Sequence, residues 1–256
     1  MELILIFIFG AIIGSFLNVC IYRIPLGKSI VFPGSFCPVC KKPIPWFSNI
    51  PLLSFIALRG KCRYCRTPIP LRYFLVELVT GLSGIGLFLF FAFNIKFVIF
   101  WFLVCILITV TAIDIEHQEI PDVITIPGIA AGVLLMTIFK LDGAVSCLSS
   151  FLNSAAGVAA GGGSMFLLGV AGELIFRKEA LGGGDVKLMA MLGAFLGWKL
   201  ILVTFFIAPL FGACVGIFMK IKFRSEIIPY GPFLSLGAVF SLLYGEQVLK
   251  YLFAGY

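Results

Sequence analysis

The chain alternates long apolar runs with short polar joints, and one polar stretch stands out by its length. A helix needs about 20 apolar residues to cross the hydrocarbon of a bilayer. Such runs fall near 2–22, 74–94, 96–113, 122–139, 151–176, 186–198, 200–219 and 230–253. The sixth is short, with room to extend backwards past Asp185. Between the first and second runs lies segment 23–73, with nine of the 19 basic residues and four of the eight cysteines. The pattern predicts an all-α polytopic membrane protein of about eight transmembrane helices. It divides into a first helix (1–22), a small polar insert (23–73) and a helical core (74–256).

Composition strengthens this reading. Of 256 residues, 61% are hydrophobic and 12% charged, against about 25% charged in soluble chains. A water-facing fold has no means of hiding so much apolar surface. The net charge of +7 does not point to nucleic acid, because there is no long basic run and the cations sit at the ends of apolar segments. They do so unevenly. The cations of 23–73, with Arg177, Lys178, Lys187, Lys220, Lys222 and Arg224, fall on one side; Lys96, Lys140, Lys199 and Lys250 fall on the other. The positive-inside rule then predicts a cytoplasmic insert and both termini extracytoplasmic. Met1 to Cys20 lacks a basic n-region and a small-residue cleavage site, so it reads as a retained first helix.

The insert holds Cys37-Pro-Val-Cys40 and Cys62-Arg-Tyr-Cys65. Two CxxC knuckles at this spacing suit a tetrahedral four-cysteine zinc site. Lys41, Lys42, Arg63 and Arg66 beside them offset the charge of four thiolates. A redox dithiol pair is the alternative, disfavoured by the spacing; disulfides are disfavoured by a reducing cytoplasm. Four protein ligands close a zinc site, which makes it structural. Cys20, Cys105 and Cys214 fall in apolar spans and read as packing residues.

Only 12 residues are acidic, so their placement is informative. Asp114, Glu116, Glu119 and Asp122 crowd the end of the third span, and Gly182-Gly183-Gly184-Asp185 opens the sixth on the same side. Glu116, Glu119, Glu173 and Glu179 read as facing water or headgroups. Asp114 and Asp185 read as a pair at similar depth, and Asp122 is the reserve candidate. Two close carboxylates share one proton, which lets one activate water while the other polarises a peptide carbonyl. The glycines leave room for a substrate backbone, and Asp185 is placed to cap the helix it opens.

Other chemistries find less support. The single histidine, His117, reads as a solvated loop residue and leaves HExxH absent. Ser164 and Ser235 lack the motif context of a Ser-His dyad. No Walker A sequence is present, and Gly161-Gly162-Gly163 lies inside an apolar span rather than after a strand. Gly157 and Gly161, four apart, suit a tight helix interface.

Taken in order, these residues resemble the bacterial type IV prepilin peptidases, GxGD aspartyl proteases that also serve type II secretion. The resemblance runs through Gly14 to Val19, Arg23-Ile-Pro25, the two knuckles, Asn49 to Ser54, Arg59 to Cys62, Tyr73 to Glu77, Asp114 to Asp122, Gly182 to Lys187, and Pro229-Tyr-Gly-Pro232. It implies that Asp114 and Asp185 are catalytic. It implies cleavage of a basic leader from prepilins or pseudopilins at the cytoplasmic face of the bacterial inner membrane, after a glycine. It also implies N-methylation of the new terminus using S-adenosylmethionine, for which no residue here reads as a site. A non-catalytic, zinc-stapled assembly factor and a GxGD protease of the presenilin type are the competing readings. Loss of either aspartate would favour the first; the cysteine insert and the Asp114–Asp122 spacing speak against the second.

Overall fold

The computed structural model describes residues 1–177, 181–223 and 229–253. Lys178, Glu179 and Arg224 lie outside the described residues. The elements are α1 (Glu2–Arg23), a short α2 (Leu53–Ala57), α3 (Leu71–Phe91), α4 (Ile95–His117), α5 (Asp122–Phe139), α6 (Cys147–Phe176), α7 (Gly183–Phe223) and α8 (Gly231–Phe253). All but α2 are long and apolar enough to cross a membrane. Large apolar side chains such as Ile4, Phe9, Leu134 and Leu167 point outward, as they do where lipid is the solvent.

Local chemistry sets the boundaries. Helix α6 starts four residues earlier than the apolar run suggests, because Ser146 and Ser149 form a reciprocal capping box. Helix α4 runs one turn past its apolar run and stops where Gln118 turns left-handed, with φ 56°. Helix α7 begins before Asp185, as its short apolar run allowed.

The expected sixth and seventh spans are the two arms of α7. Gly161 of α6 faces both the Met189 carbonyl and the Ile201 side chain. Twelve residues of straight helix measure about 18 Å, so one glycine meets both only if α7 doubles back. The turn is at Gly197, with φ 74° and ψ 172°. The arms are therefore 183–196 and 198–223.

The chain forms two compact units, Met1–Thr109 and Val110–Tyr256. In the first, α1 and α3 pack antiparallel. Gly10 faces the Cα of Gly81, and Gly14 that of Glu77; a Cβ at either glycine would lie 2.7 Å from its neighbour. Small residues here allow close helix approach. Asn18 of α1 donates to the Tyr73 carbonyl at 3.0 Å. The Leu52 amide, from the insert, donates to the buried Glu77 carboxylate at 2.8 Å.

In the second unit the first arm of α7 is the centre, with Leu188, Met189, Met191 and Leu192 wholly buried. Helix α6 runs antiparallel to it, Gly157 against the Gly193 carbonyl and Gly161 against that of Met189, the tight interface expected. Helix α5 runs parallel to it, Gly128 against Met191 and Gly132 against Phe195. Helix α8 packs antiparallel on the second arm, Gly237 against Ala208 and Gly245 against Leu200. This threading brings the end of α4 and the starts of α5, α7 and α8 to one end of the unit.

Candidate active site

Asp114 occupies the last turn of α4 and is 6% exposed. Its Oδ2 accepts a hydrogen bond of 2.9 Å from the Gly231 amide. Gly231 opens α8, where the first amides lack helical acceptors and the helix dipole favours negative charge. A Cβ on Gly231 would lie 2.7 Å from that same oxygen, so any larger residue there would push the Asp114 carboxylate aside. Asp114 is thus a buried carboxylate held by a helix N-terminus.

Asp185 lies in the first turn of α7 and is half-buried. Its own amide donates to the Gly182 carbonyl at 3.1 Å. It lies close enough to Asp114 for their charges to interact. It does not cap α7, which starts two residues earlier at Gly183. The glycines before it divide into two kinds. A Cβ on Gly184 would meet Ile120 at 2.9 Å, so this glycine serves packing rather than substrate access. Gly182 and Gly183 are exposed, and the space beside Gly183 is open.

The reserve candidate has a different setting. Asp122 is bound through both oxygens by Lys187 Nζ, at 2.7 and 2.6 Å, and the two side chains are 54% and 42% exposed. Glu116, His117, Glu119 and Glu173 are exposed, as expected, although His117 closes α4 rather than lying in a loop. Ser164 bonds the carbonyl of Gly161 in its own helix, and Ser235 is buried.

Sequence reasoning gave no role to the turn at Tyr230 and Gly231. Burial, and then the charge of Asp185, push the Tyr230 phenol above its ordinary value. Tyr230 thus keeps its proton next to one aspartate while Gly231 grips the other. The available signal was Pro229-Tyr-Gly-Pro232, a glycine placed at a helix start between two prolines.

The first unit contains a cluster of four cysteines. In each knuckle the first cysteine's amide bonds the carbonyl five residues on, Cys37 to Lys42 at 3.0 Å and Cys62 to Thr67 at 2.8 Å. The residue after each second cysteine then turns left-handed, Lys41 at φ 59° and Arg66 at φ 60°. The two turns are equivalent, and both aim their sulfurs inward. The four Sγ atoms lie within 4.8 Å of one another, and Cys37 and Cys65 are 3.8 Å apart. Zinc–sulfur bonds of about 2.3 Å in a tetrahedron give edges of about 3.8 Å, so the four cysteines fit a metal ion. The neighbouring cations also rest on rings, Lys42 over Tyr64 and Arg63 over Phe47. Of the scattered cysteines, Cys20 and Cys105 are buried. Cys214 is exposed, so it faces outward from α7 rather than packing inside, a difference from expectation that an apolar run alone does not reveal.

Comparison with known proteins follows the same division. Residues 8–92 match the Bacterial Peptidase A24 N-terminal domain, and 101–217 match the Type IV leader peptidase family. The chain is similar to the prepilin leader peptidase/N-methyltransferase of Myxococcus xanthus, 42% identical over 84% of this chain and 62% of that protein. It is 33% identical to the Aeromonas hydrophila protein of that name and 34% to the Pseudomonas aeruginosa one. Each of these two alignments spans 96% of this chain and 92% of the relative. No solved structure matches.

Proposed function

This chain belongs to the prepilin leader peptidase/N-methyltransferase family, and on that premise we propose that it removes leader peptides from prepilins or pseudopilins by a two-aspartate mechanism, with Asp114 and Asp185 as the dyad. The observation that carries this reading is the pairing itself. The end of α4 that carries Asp114 and the start of α7 that carries Asp185 meet at one end of the second unit, where Ile120 packs on Gly184. Among the described residues neither forms an ion pair of the kind that neutralises Asp122.

The surroundings divide the roles. Asp114, whose Oδ2 accepts the Gly231 amide at the start of α8 and whose Oδ1 has no hydrogen-bond donor among the described residues, is assigned as the base. Asp185 holds the shared proton. Asp114 takes a proton from water as the water oxygen bonds the scissile carbonyl carbon, and Asp185 gives its proton to the carbonyl oxygen. In the collapse Asp114 passes its proton to the departing nitrogen as the carbon–nitrogen bond breaks. Asp185 recovers one from a hydroxyl of the diol, restoring the dyad. Tyr230, protonated beside Asp185, adds a neutral donor without adding charge.

The distribution of cations supports a multi-pass protein of the bacterial inner membrane, with both termini outside and the dyad facing the cytoplasm. Zinc is the proposed metal of Cys37, Cys40, Cys62 and Cys65, and it would staple the insert. N-methylation of the new terminus, with S-adenosylmethionine as donor, is proposed from the family name. Among the described residues the fold has no strand–loop–helix nucleotide cradle, so no residue is assigned to the donor. Incubation of the purified protein with a prepilin, followed by mass measurement, tests both activities. Loss of the leader reports cleavage, and a further mass gain on adding the donor reports methylation. An intact prepilin would reject the peptidase.

A further inference from the structure

The chain between Asp114 and Asp185 touches α7 at two places around the start of α5. After Asp114, α4 ends at Gln118, and Ile120 lies against Gly184 so closely that a Cβ there would be 2.9 Å away. Two residues on, Asp122 takes Lys187 through both carboxylate oxygens. Gly184 and Lys187 flank Asp185. The joint that follows one aspartate is therefore docked on both sides of the other.

Lys187 follows Asp185 by two residues in α7. It stands one turn inside the start of α7, beside the first residue of α5. Helices α5 and α7 are parallel here and present like ends side by side. An Asp122–Lys187 bridge turns that unfavourable juxtaposition into a join. Both side chains of the pair are about half exposed, so its worth to stability is small. Its geometry is the useful part, because catalysis by two groups falls steeply with misplacement.

We propose that Asp122 and Lys187 are positioning residues that set the spacing of the dyad, rather than stabilising the fold or taking part in the chemistry. The proposal rests on Asp114 and Asp185 being the catalytic pair. It accounts for an aspartate at 122 and a lysine at 187 without giving either a proton to move.

The test is an exchange of charges in the full-length protein, assayed with a prepilin. Asp122→Asn and Lys187→Met should each lower kcat about tenfold, with KM, melting temperature and the limbs of the pH–rate profile unchanged. Asp122→Glu, which keeps the bridge, should stay near wild type. The exchanged protein, Asp122→Lys with Lys187→Asp, should regain most of the lost rate. Single variants with wild-type kcat would overturn the proposal. So would an exchanged protein no better than the singles, since a carboxylate would then be needed at 122 itself. Asp114→Asn assayed alongside separates the two readings. If it is active the dyad has failed, and if it is dead while the exchange fails, only the bridge has.

Discussion

At the scale of single residues, the decisive distinction is among aspartates that look alike in the sequence. Asp114 and Asp122 stand eight apart in one acidic stretch, and spacing cannot rank them. Their partners can. Asp114 is buried against a helix amide, whereas Asp122 is exposed and ion-paired. The amide comes from Gly231, far along the chain, which is why the sequence does not reveal it. Gly231→Ala is expected to lower cleavage at least about tenfold, because its methyl group would displace Asp114 Oδ2. The comparison to make is kcat against wild type in protein shown by melting to be folded. Full activity in that variant would remove the Gly231 amide from the site.

At the scale of elements, the apolar pattern located the spans well and their ends poorly. Caps and left-handed stops decide ends, as Ser146 and Gln118 do here, and these are short-range polar features that hydropathy ignores. The fold-back of α7 was legible only as two runs separated at Lys199, two residues past the glycine that makes the turn. Its glycine has a specific duty. Gly197 has positive φ, and a Cβ there would lie 2.8 Å from Asn153. Gly197→Ala should therefore cost about 1–3 kcal/mol, read as a lowered melting temperature. Gly163→Ala, where the space is open, should change stability by less than about 1 kcal/mol, toward stabilisation. Equal effects of the two would undo the hairpin. The four-cysteine cluster of the insert was legible, since two CxxC motifs fix both ligand type and spacing, but its short helix α2 and the Leu52–Glu77 hydrogen bond were not. Elemental analysis of reduced, chelator-washed protein should find near one zinc per chain. Cys62→Ser should lose it and open the insert to proteolysis, because a metal site of this kind contributes folding energy to a segment with little core.

At the scale of the whole molecule, membrane topology determines the point of cleavage. The proposed dyad lies at one end of the second unit, and the proposed topology turns that end to the cytoplasm. The scissile bond should then lie at the cytoplasmic boundary of the substrate's apolar helix. It must be presented unwound, since helical peptide bonds are occupied by their own hydrogen bonds. Moving the cleavage site several residues into the apolar stem should abolish processing, read as a prepilin of unchanged mass. The central claim is that Asp114 and Asp185 together perform the hydrolysis, and one measurement addresses it directly. Prepilin is incubated with wild-type protein, Asp114→Asn, Asp185→Asn and the double variant, and the fraction of leader released is followed by mass over time. Each single variant should be slower by at least about a thousandfold, and the double no slower than the singles, because the pair acts as a unit. Near-wild-type release by a folded Asp114→Asn or Asp185→Asn protein would contradict the account.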